Sequence, residues 1–317
     1  MKKMSAKNRL VNAGLLLLVA MLFFVFVSDD SEAATHTVDK FGGSDYTNIT
    51  QAVENASAGD TIRVAAREYH DTVHVNKKLT LIGGNYGVDL GDLYDCNDGD
   101  LVARYHLDET NPSEVGDGVW CNDIPGDVEG ASTGAGVWGN GLDFDGTNDY
   151  VEIDDDSEFD TQIVSVSSWI NIDDNDTDLR TIFSTYEESD SSRSGYKVHV
   201  NDDAKFQFTF GFGSSSGSCQ TTKTISENTW IHLVATYDKS SIKLYINGEL
   251  DNSCNYNDAI ASNDGKKVIG ATDHNGDGTY DDFFDGTLDD VTIWGSAITA
   301  SNIEKIYWGG SYVQPVV

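Results

Sequence analysis

The chain has 317 residues, with 20 basic side chains against 53 acidic ones and a formal net charge of −33. A surface of that sign repels nucleic acid and anionic lipid, which excludes both as partners, and it favours cations and solubility. Gly 31, Tyr 14 and Phe 13 against Pro 3 and Met 3 suit an all-β protein with many turns, and the length allows one large or two modest domains.

The chain opens with Lys2, Lys3, Lys7 and Arg9, an apolar run from Gly14 to Val27, and the small-residue stretch Ser31-Glu-Ala-Ala34. This is the pattern of a secretory signal, with an uncleaved anchor as the alternative, so residues 1–34 are set apart from the fold. Secretion or display at the cell surface is the localisation expected. Asn48-Ile-Thr, Asn55-Ala-Ser and Asn175-Asp-Thr have the glycosylation spacing, which is a weak signal.

Residues 35–95 form a first region. Ile49, Ala52 and Val53 have helical spacing within Tyr46–Asn55, and Ala58-Gly-Asp60 breaks the helix. Thr61–Ala65, Thr72–Val75 and Leu79–Gly83 then read as strands about ten residues apart. Residues 96–310 alternate short apolar strands with polar turns and contain almost no helix, which predicts an antiparallel two-sheet sandwich. Its strands are expected at Leu101–Leu107, Gly141–Phe144, Tyr150–Ile153, Val164–Ile172, Thr181–Ser184, Tyr196–Val200, Phe206–Phe210, Thr221–Ile225, Trp230–Tyr237, Ile242–Asn247, Lys267–Ala271 and Thr287–Trp294. Gly211–Gly217 reads as a flexible turn. Ala300–Tyr307 reads as one helix, capped by Thr299 or by Ser301 with Glu304, and 311–317 is a tail.

Asp273-His-Asn-Gly-Asp-Gly-Thr-Tyr-Asp-Asp282 carries the strongest chemical signal. Asp273, Asn275, Asp277, Thr279, Asp281 and Asp282 bring hard oxygen donors to one loop, and Gly278 permits a sharp turn, so a calcium ion is the expected cofactor. The twelfth position holds Phe284 where a helix-loop-helix site needs Glu, so a β scaffold is implied. A second cation position is expected where Asp145-Gly-Thr-Asn148-Asp149 meets Asp290. Its competing reading is ordinary turn chemistry.

Cys96, Cys121, Cys219 and Cys254 are an even number in an exported chain. Chain order favours Cys96–Cys121 and Cys219–Cys254, one of three pairings, each worth roughly 3 kcal/mol. Trp120, Trp138, Tyr186 and Tyr280 lie in loops and are candidates to stack on sugars, whereas Trp169, Trp230 and Trp294 lie in strands and belong to the core. No catalytic residue is assigned. Glu152-Ile-Asp-Asp-Asp-Ser-Glu158 lacks the carboxylate spacing of a β-glucanase, there is no Gly-x-Ser-x-Gly or HExxH element, and the seven histidines show no pairing with a nucleophile.

Two resemblances sharpen this reading. The segment "YTNITQAVENASAGDTIRVAAREYHDTVHVNKKLTLIGGNYG" resembles the cap and first coils of a pectate-lyase-like right-handed β-helix. That likeness implies an open sheet edge, either covered by the second region or left available for self-assembly, as in a piece of a longer protein. The segments "LVARYHLDE", "GVWGNGLDFDGTNDYVEI", "VSVSSWINI", "NTWIHLVATYDKSSIKLYINGEL", "VIGA" and "FDGTLDDVTIWGSAITASNIEKIY" follow the order of a laminin-G-like, concanavalin A-like jelly roll related to the pentraxins. That resemblance implies adhesion or recognition of a glycan or surface polymer. It also implies calcium on one rim, held by the loop before the last strand and, in pentraxin-like members, by a second loop whose matching residues are Glu188 and Asp190. The expected function is therefore a non-catalytic, calcium-supported binding module. The alternatives are a targeting module of a carbohydrate-active enzyme and a structural surface or filament protein.

Overall fold

The computed structural model describes residues 33–40, 44–65, 73, 75, 77–82, 100–108, 113–115, 124–137, 139–173, 179–189 and 191–309. The expected leader, apart from Ala33 and Ala34, falls outside them, as do Cys96, Cys121, Trp120, Trp138 and Asp190.

The first region forms a three-stranded parallel sheet of Thr35–Val38, Thr61–Val64 and Thr80–Ile82. The helix Ile49–Asn55 packs on it, with Asn48 accepting the Gln51 N–H at its start. Ala52 and Val53 meet Val38, Ile62 and Val64 in a small core. The strand expected at Thr72–Val75 does not form at Val73 or Val75, the two of its residues that are described.

The second region is a sandwich of two antiparallel sheets. Sheet I runs Glu249–Asn255, Ser241–Ile246, Ile231–Tyr237, Val164–Ile172, Asp285–Trp294, Asn140–Asp145, Ser132–Ala135, and Leu101–Tyr105 pairs with the later part of Asp285–Trp294. Sheet II runs Ser216–Gln220, Phe206–Gly211, Tyr196–Val200, Arg180–Ser184, Lys267–Ile269, Tyr150–Ile153, Gly126–Glu129, Glu114–Val115. The alternation in the strands explains the layers. Val164, Val166 and Ile170 of sheet I meet Tyr196, Val198, Phe206, Phe208 and Phe210 of sheet II in one core. The helix Ala300–Gly309 covers the outer face of sheet I, where Ile303 and Ile306 pack on Val234, Tyr245 and Trp294. Thr299 caps it through the Asn302 N–H. Trp169, Trp230 and Trp294 are buried, as their strand positions require.

The segment around Cys219 corrects one expectation. Ser216–Gln220 is a strand, and Thr221–Ile225 is not. Gly217 and Cys219 face Phe210 and Phe208 across the ladder, so a Ser/Gly-rich stretch that reads as a turn is drawn into the sheet by two buried positions. Glu249–Asn255, another strand the pattern missed, lies at the corresponding edge of sheet I. The Cys219–Cys254 disulfide joins these two edge strands across the sandwich, closing a loop of 35 residues.

The first region is fixed to the sandwich through the C-terminal helix. The Tyr307 hydroxyl donates to Asp39 at 2.8 Å, Arg63 pairs with Glu304 at 2.7 Å and lies over the Trp308 ring, and Ala65 packs with Trp169, Trp230, Tyr307 and Trp308.

Reducing Cys219–Cys254, or replacing both residues by Ala, is expected to cost about 3–4 kcal/mol in urea unfolding. Unchanged unfolding midpoints would show that the two edge strands hold together without the bridge.

Candidate functional site

The loop before the last strand of sheet I folds back as a hairpin onto the outer face of sheet II. Thr272–Asp273 pairs with Tyr280–Asp281, and the turn between them uses Gly276 at φ +66° and Gly278 at φ +81°, values that a glycine adopts without strain. Asp273 organises the turn by accepting the N–H groups of Asp277 at 3.2 Å and Gly278 at 2.9 Å. Asp277 accepts the Thr279 N–H at 3.0 Å.

One side of the hairpin is tied to the middle of sheet II. The Thr181 N–H donates to Asp282 O at 2.9 Å, the hydroxyls of Thr181 and Thr272 meet at 2.7 Å, and the Glu188 N–H donates to His274 O. Beneath it, Lys197 Nζ lies 3.0 Å and His274 Nε2 2.9 Å from Asp282 Oδ2. Burial pushes the Asp282 carboxyl up, but the His274 hydrogen bond and the Lys197 charge outweigh it and hold it at about 2. Lys197 also lies over the ring of Tyr186, which is buried here and so not free to stack on a ligand.

The other side carries half-exposed aromatics. The Tyr280 and Tyr150 rings are 4.1 Å apart and inclined by 33°. The Tyr280 hydroxyl donates to Glu152, which also pairs with Lys266 at 3.0 Å. Burial raises the Glu152 carboxyl, but the hydrogen bonds from Tyr280 and Lys266 prevail and leave it below the ordinary carboxylate range. For Tyr280, burial and the Glu152 bond both push the phenol upward, so it stays protonated and donates. Tyr150 has no loop signature. Its place beside Tyr280 follows from strand alternation, because Val151 and Ile153 point into the core.

Residues 145–304 match the Laminin_G_3 family, described as the concanavalin A-like lectin/glucanases superfamily, over 160 of the 317 residues. The chain belongs to this family. The laminin-G-like fold extends to solved structures of low identity. Domain 4 of AbnA, a GH43 extracellular arabinanase from Geobacillus stearothermophilus, solved with arabinotriose, is 19% identical with a TM-score of 0.51. The match covers 65% of this chain and 98% of that one. The receptor binding domain of botulinum neurotoxin D is 18% identical with a TM-score of 0.53, covering 68% and 54%. The ligand binding domain of serotype D with N-acetylneuraminic acid is 17% identical with a TM-score of 0.50, covering 65% and 50%. The chain thus spans about half the length of the toxin structures. No curated protein matches the sequence. The family match does not reach the parallel sheet of residues 35–82.

Within this laminin-G-like frame the expected metal residues are only partly brought together. Asp273, Asn275, Asp277, Thr279 and Asp281 share the hairpin, and their donor chemistry suits a hard cation. Asp273 and Asp277, however, are turned onto N–H groups of their own loop, and Asp282 is held by Lys197 and His274. Among the described residues, no three acidic, histidine or cysteine side chains are gathered to hold a metal ion. Glu188 is paired with Arg193 and accepts from the Tyr186 hydroxyl. At the second expected position, Asp145 accepts the Thr147 and Asn148 N–H groups and Asp149 accepts the Asp145 N–H, which is the turn chemistry of the competing reading. Asp290 does not join them. It is buried in a two-pronged pair with Arg104 at 2.8 and 3.0 Å, five residues along the strand from the Asp145–Asp285 pairing, or about 16 Å.

Among the described residues, one buried histidine also meets a serine hydroxyl, a pairing the sequence did not disclose. His232 Nε2 and Ser167 Oγ are 2.8 Å apart. Both are buried on the outer face of sheet I among Trp169 and Tyr307, with no opening to a substrate, so the pair is part of the packing.

Because Asp282 lies near 2 in the folded chain against about 3.9 unfolded, its ion pair stabilises fully above pH 4, and that contribution is lost as pH falls towards 2. Asp282→Asn is expected to cost about 3 kcal/mol at pH 7, by leaving Lys197 buried without its anion, and less at pH 3. Equal destabilisation at both pH values in urea titrations would remove this account of the hairpin's anchor.

Proposed function

We propose that this chain is a secreted or cell-surface, non-catalytic recognition module. It binds an uncharged glycan through the hairpin rim, where the Tyr150–Tyr280 pair presents a ring face to a sugar. That half-exposed, pre-oriented aromatic pair carries the reading. The fold supports it, because solved structures of the same fold include domains captured with arabinotriose and with N-acetylneuraminic acid. Charge narrows the choice, since a chain of net −33 with Glu129, Glu152 and Asp154 around the rim disfavours an anionic sugar. Glu152 and Lys266 lie beside the rings to take hydroxyl groups.

Calcium belongs to the same proposal. Asp273, Asn275, Asp277 and Asp281, with the Thr279 carbonyl, are the donors that would hold it, and Asp282 is not among them. Bound there, it would stiffen the loop that carries Tyr280 and lower the ordering cost of binding. The β-helix-like character of the first region is part of the proposal alone, since that region lies outside the family match. The second reading is a targeting module within a carbohydrate-active enzyme, favoured by the arabinanase domain that the chain covers almost fully.

On an oligosaccharide array, the chain is expected to bind neutral glycans, and Tyr280→Ala to weaken binding about tenfold, or ~1.4 kcal/mol. Unaltered binding would move the site elsewhere, and hydrolysis of the glycan would overturn the non-catalytic reading. Millimolar calcium is expected to raise Tm, as an ion binding only the native state must, and Asp277→Ala to abolish the rise. A melt indifferent to both calcium and chelator would end the metal proposal and leave the aromatic one standing.

A further inference from the structure

Three Asn-Gly steps occur in the chain, Asn140-Gly141, Asn247-Gly248 and Asn275-Gly276. A glycine that follows asparagine has no Cβ to shield its backbone nitrogen. Where the local backbone is free to turn, that nitrogen can reach the asparagine side-chain carbonyl carbon. The fold holds two of these steps and leaves the third open.

Asn140 begins the strand Asn140–Asp145, where its N–H donates to Asp108 Oδ1 at 2.9 Å and its Nδ2 to Asp108 O at 3.0 Å. Gly141 pairs with Gly134 and packs so closely on Leu288 that a Cβ would stand 2.8 Å from its carbonyl oxygen. Asn247 accepts the His232 N–H on its side-chain oxygen at 2.9 Å, and its own N–H donates to His232 O at 2.8 Å. Gly248 lies against the Tyr307 ring. At both steps the asparagine side chain must break these bonds before it can swing towards the next nitrogen.

Asn275-Gly276 stands at the crown of the rim hairpin, between Asp273 and Asp277. Both residues are exposed. Among the described residues, neither the Asn275 side chain nor the Gly276 N–H has a hydrogen-bond partner. The atoms nearest to where a Gly276 Cβ would stand belong to the Glu187 carboxyl group, the end of a side chain and not a packed sheet. Asp273 ties down the Asp277 and Gly278 N–H groups, so the crown is the untied part of the turn.

We infer that Asn275 is a site of spontaneous deamidation, at which this chain modifies its own rim. The Gly276 nitrogen gives up its proton and bonds to Asn275 Cγ, and the side-chain nitrogen leaves with that proton as ammonia. The cyclic imide that results then takes up water. Opening at one carbonyl gives aspartate. Opening at the other gives isoaspartate, in which the main chain runs through Cβ and gains one carbon. Water is the only reactant consumed. Either product adds a negative charge beside Asp273, Asp277 and Asp281. Isoaspartate also lengthens the chain between Asp273 and Asp277, which loosens the hydrogen bonds that shape the turn. The rim is thereby altered with age, in one direction only.

The test is to age the whole chain in mildly alkaline buffer with chelator present, then map the three Asn-Gly peptides by mass and by enzymatic methylation of isoaspartate. A parallel sample is aged in urea. In the folded chain Asn275 is expected to convert, with Asn140 and Asn247 at least about tenfold slower because each must first open locally. In urea the three rates should come together. Asn275→Ser should keep the wild-type Tm, since the side chain is exposed, and should lose the isoaspartate signal. Equal rates at the three steps in the folded chain, or no conversion at Asn275, would overturn the inference. The same ranking in urea as in buffer would overturn it too, by placing the difference in the sequence and not in the fold.

Discussion

The strand Asp285–Trp294 holds sheet I together and positions everything at the hairpin. It pairs with Val164–Ile172 along one edge, and with Asn140–Asp145 and then Leu101–Tyr105 along the other. A strand bonded on both edges cannot slide without breaking every pair, so the residue at which it begins is fixed. Gly286 at φ +129° makes the entry possible, because a Cβ there would come 2.2 Å from Asn171 O. Asp290 at φ +55° interrupts the strand where its partner changes, and the Arg104 pair holds that irregularity in a buried place. The loop that precedes Asp285 therefore inherits a fixed root.

The acid excess is managed by a few buried cations. Arg104, Lys197 and Lys267 are each buried and each meet a carboxylate, Asp290, Asp282 and Asp155 respectively. Lys267 is fully enclosed and also donates to Gly265 O at 2.6 Å. Such pairs add little net stability over an apolar core, but removing one partner leaves a buried charge, so each acts as a latch between a strand and a loop. Lys197 latches the hairpin, and Lys267 latches the Asp155 turn to the strand beside Glu152. The rim thus stays ordered although acidic groups on it repel one another.

The sandwich was legible because its strands alternate strongly, as in Val164–Ile172 and Phe206–Gly211. The same rule failed at Ser216–Gln220, where small polar residues give no apolar period and pairing with Phe208 and Phe210 decides. The hairpin loop was legible as an oxygen-rich segment, but the fate of Asp282 was not, because Lys197 lies 85 residues away in sequence and meets it only through the fold. Asp290 was misplaced for the same reason, its partner Arg104 being 186 residues distant. Tyr150 and the cross-strand pair of Thr209 and Ser218 carry no motif. Their significance is positional, and position on a sheet face follows from register, not from composition.

The two sides of the hairpin have different chemistry, and that difference bears on recognition. On the Lys197 side the contacts are buried and ionic, and they fix where the loop sits. On the Tyr280 side they are half-exposed, so the rings remain available while the Glu152 bond limits their rotation. A ligand meeting the rings there encounters a surface whose ordering has largely been completed by folding, which leaves more of the contact energy for affinity.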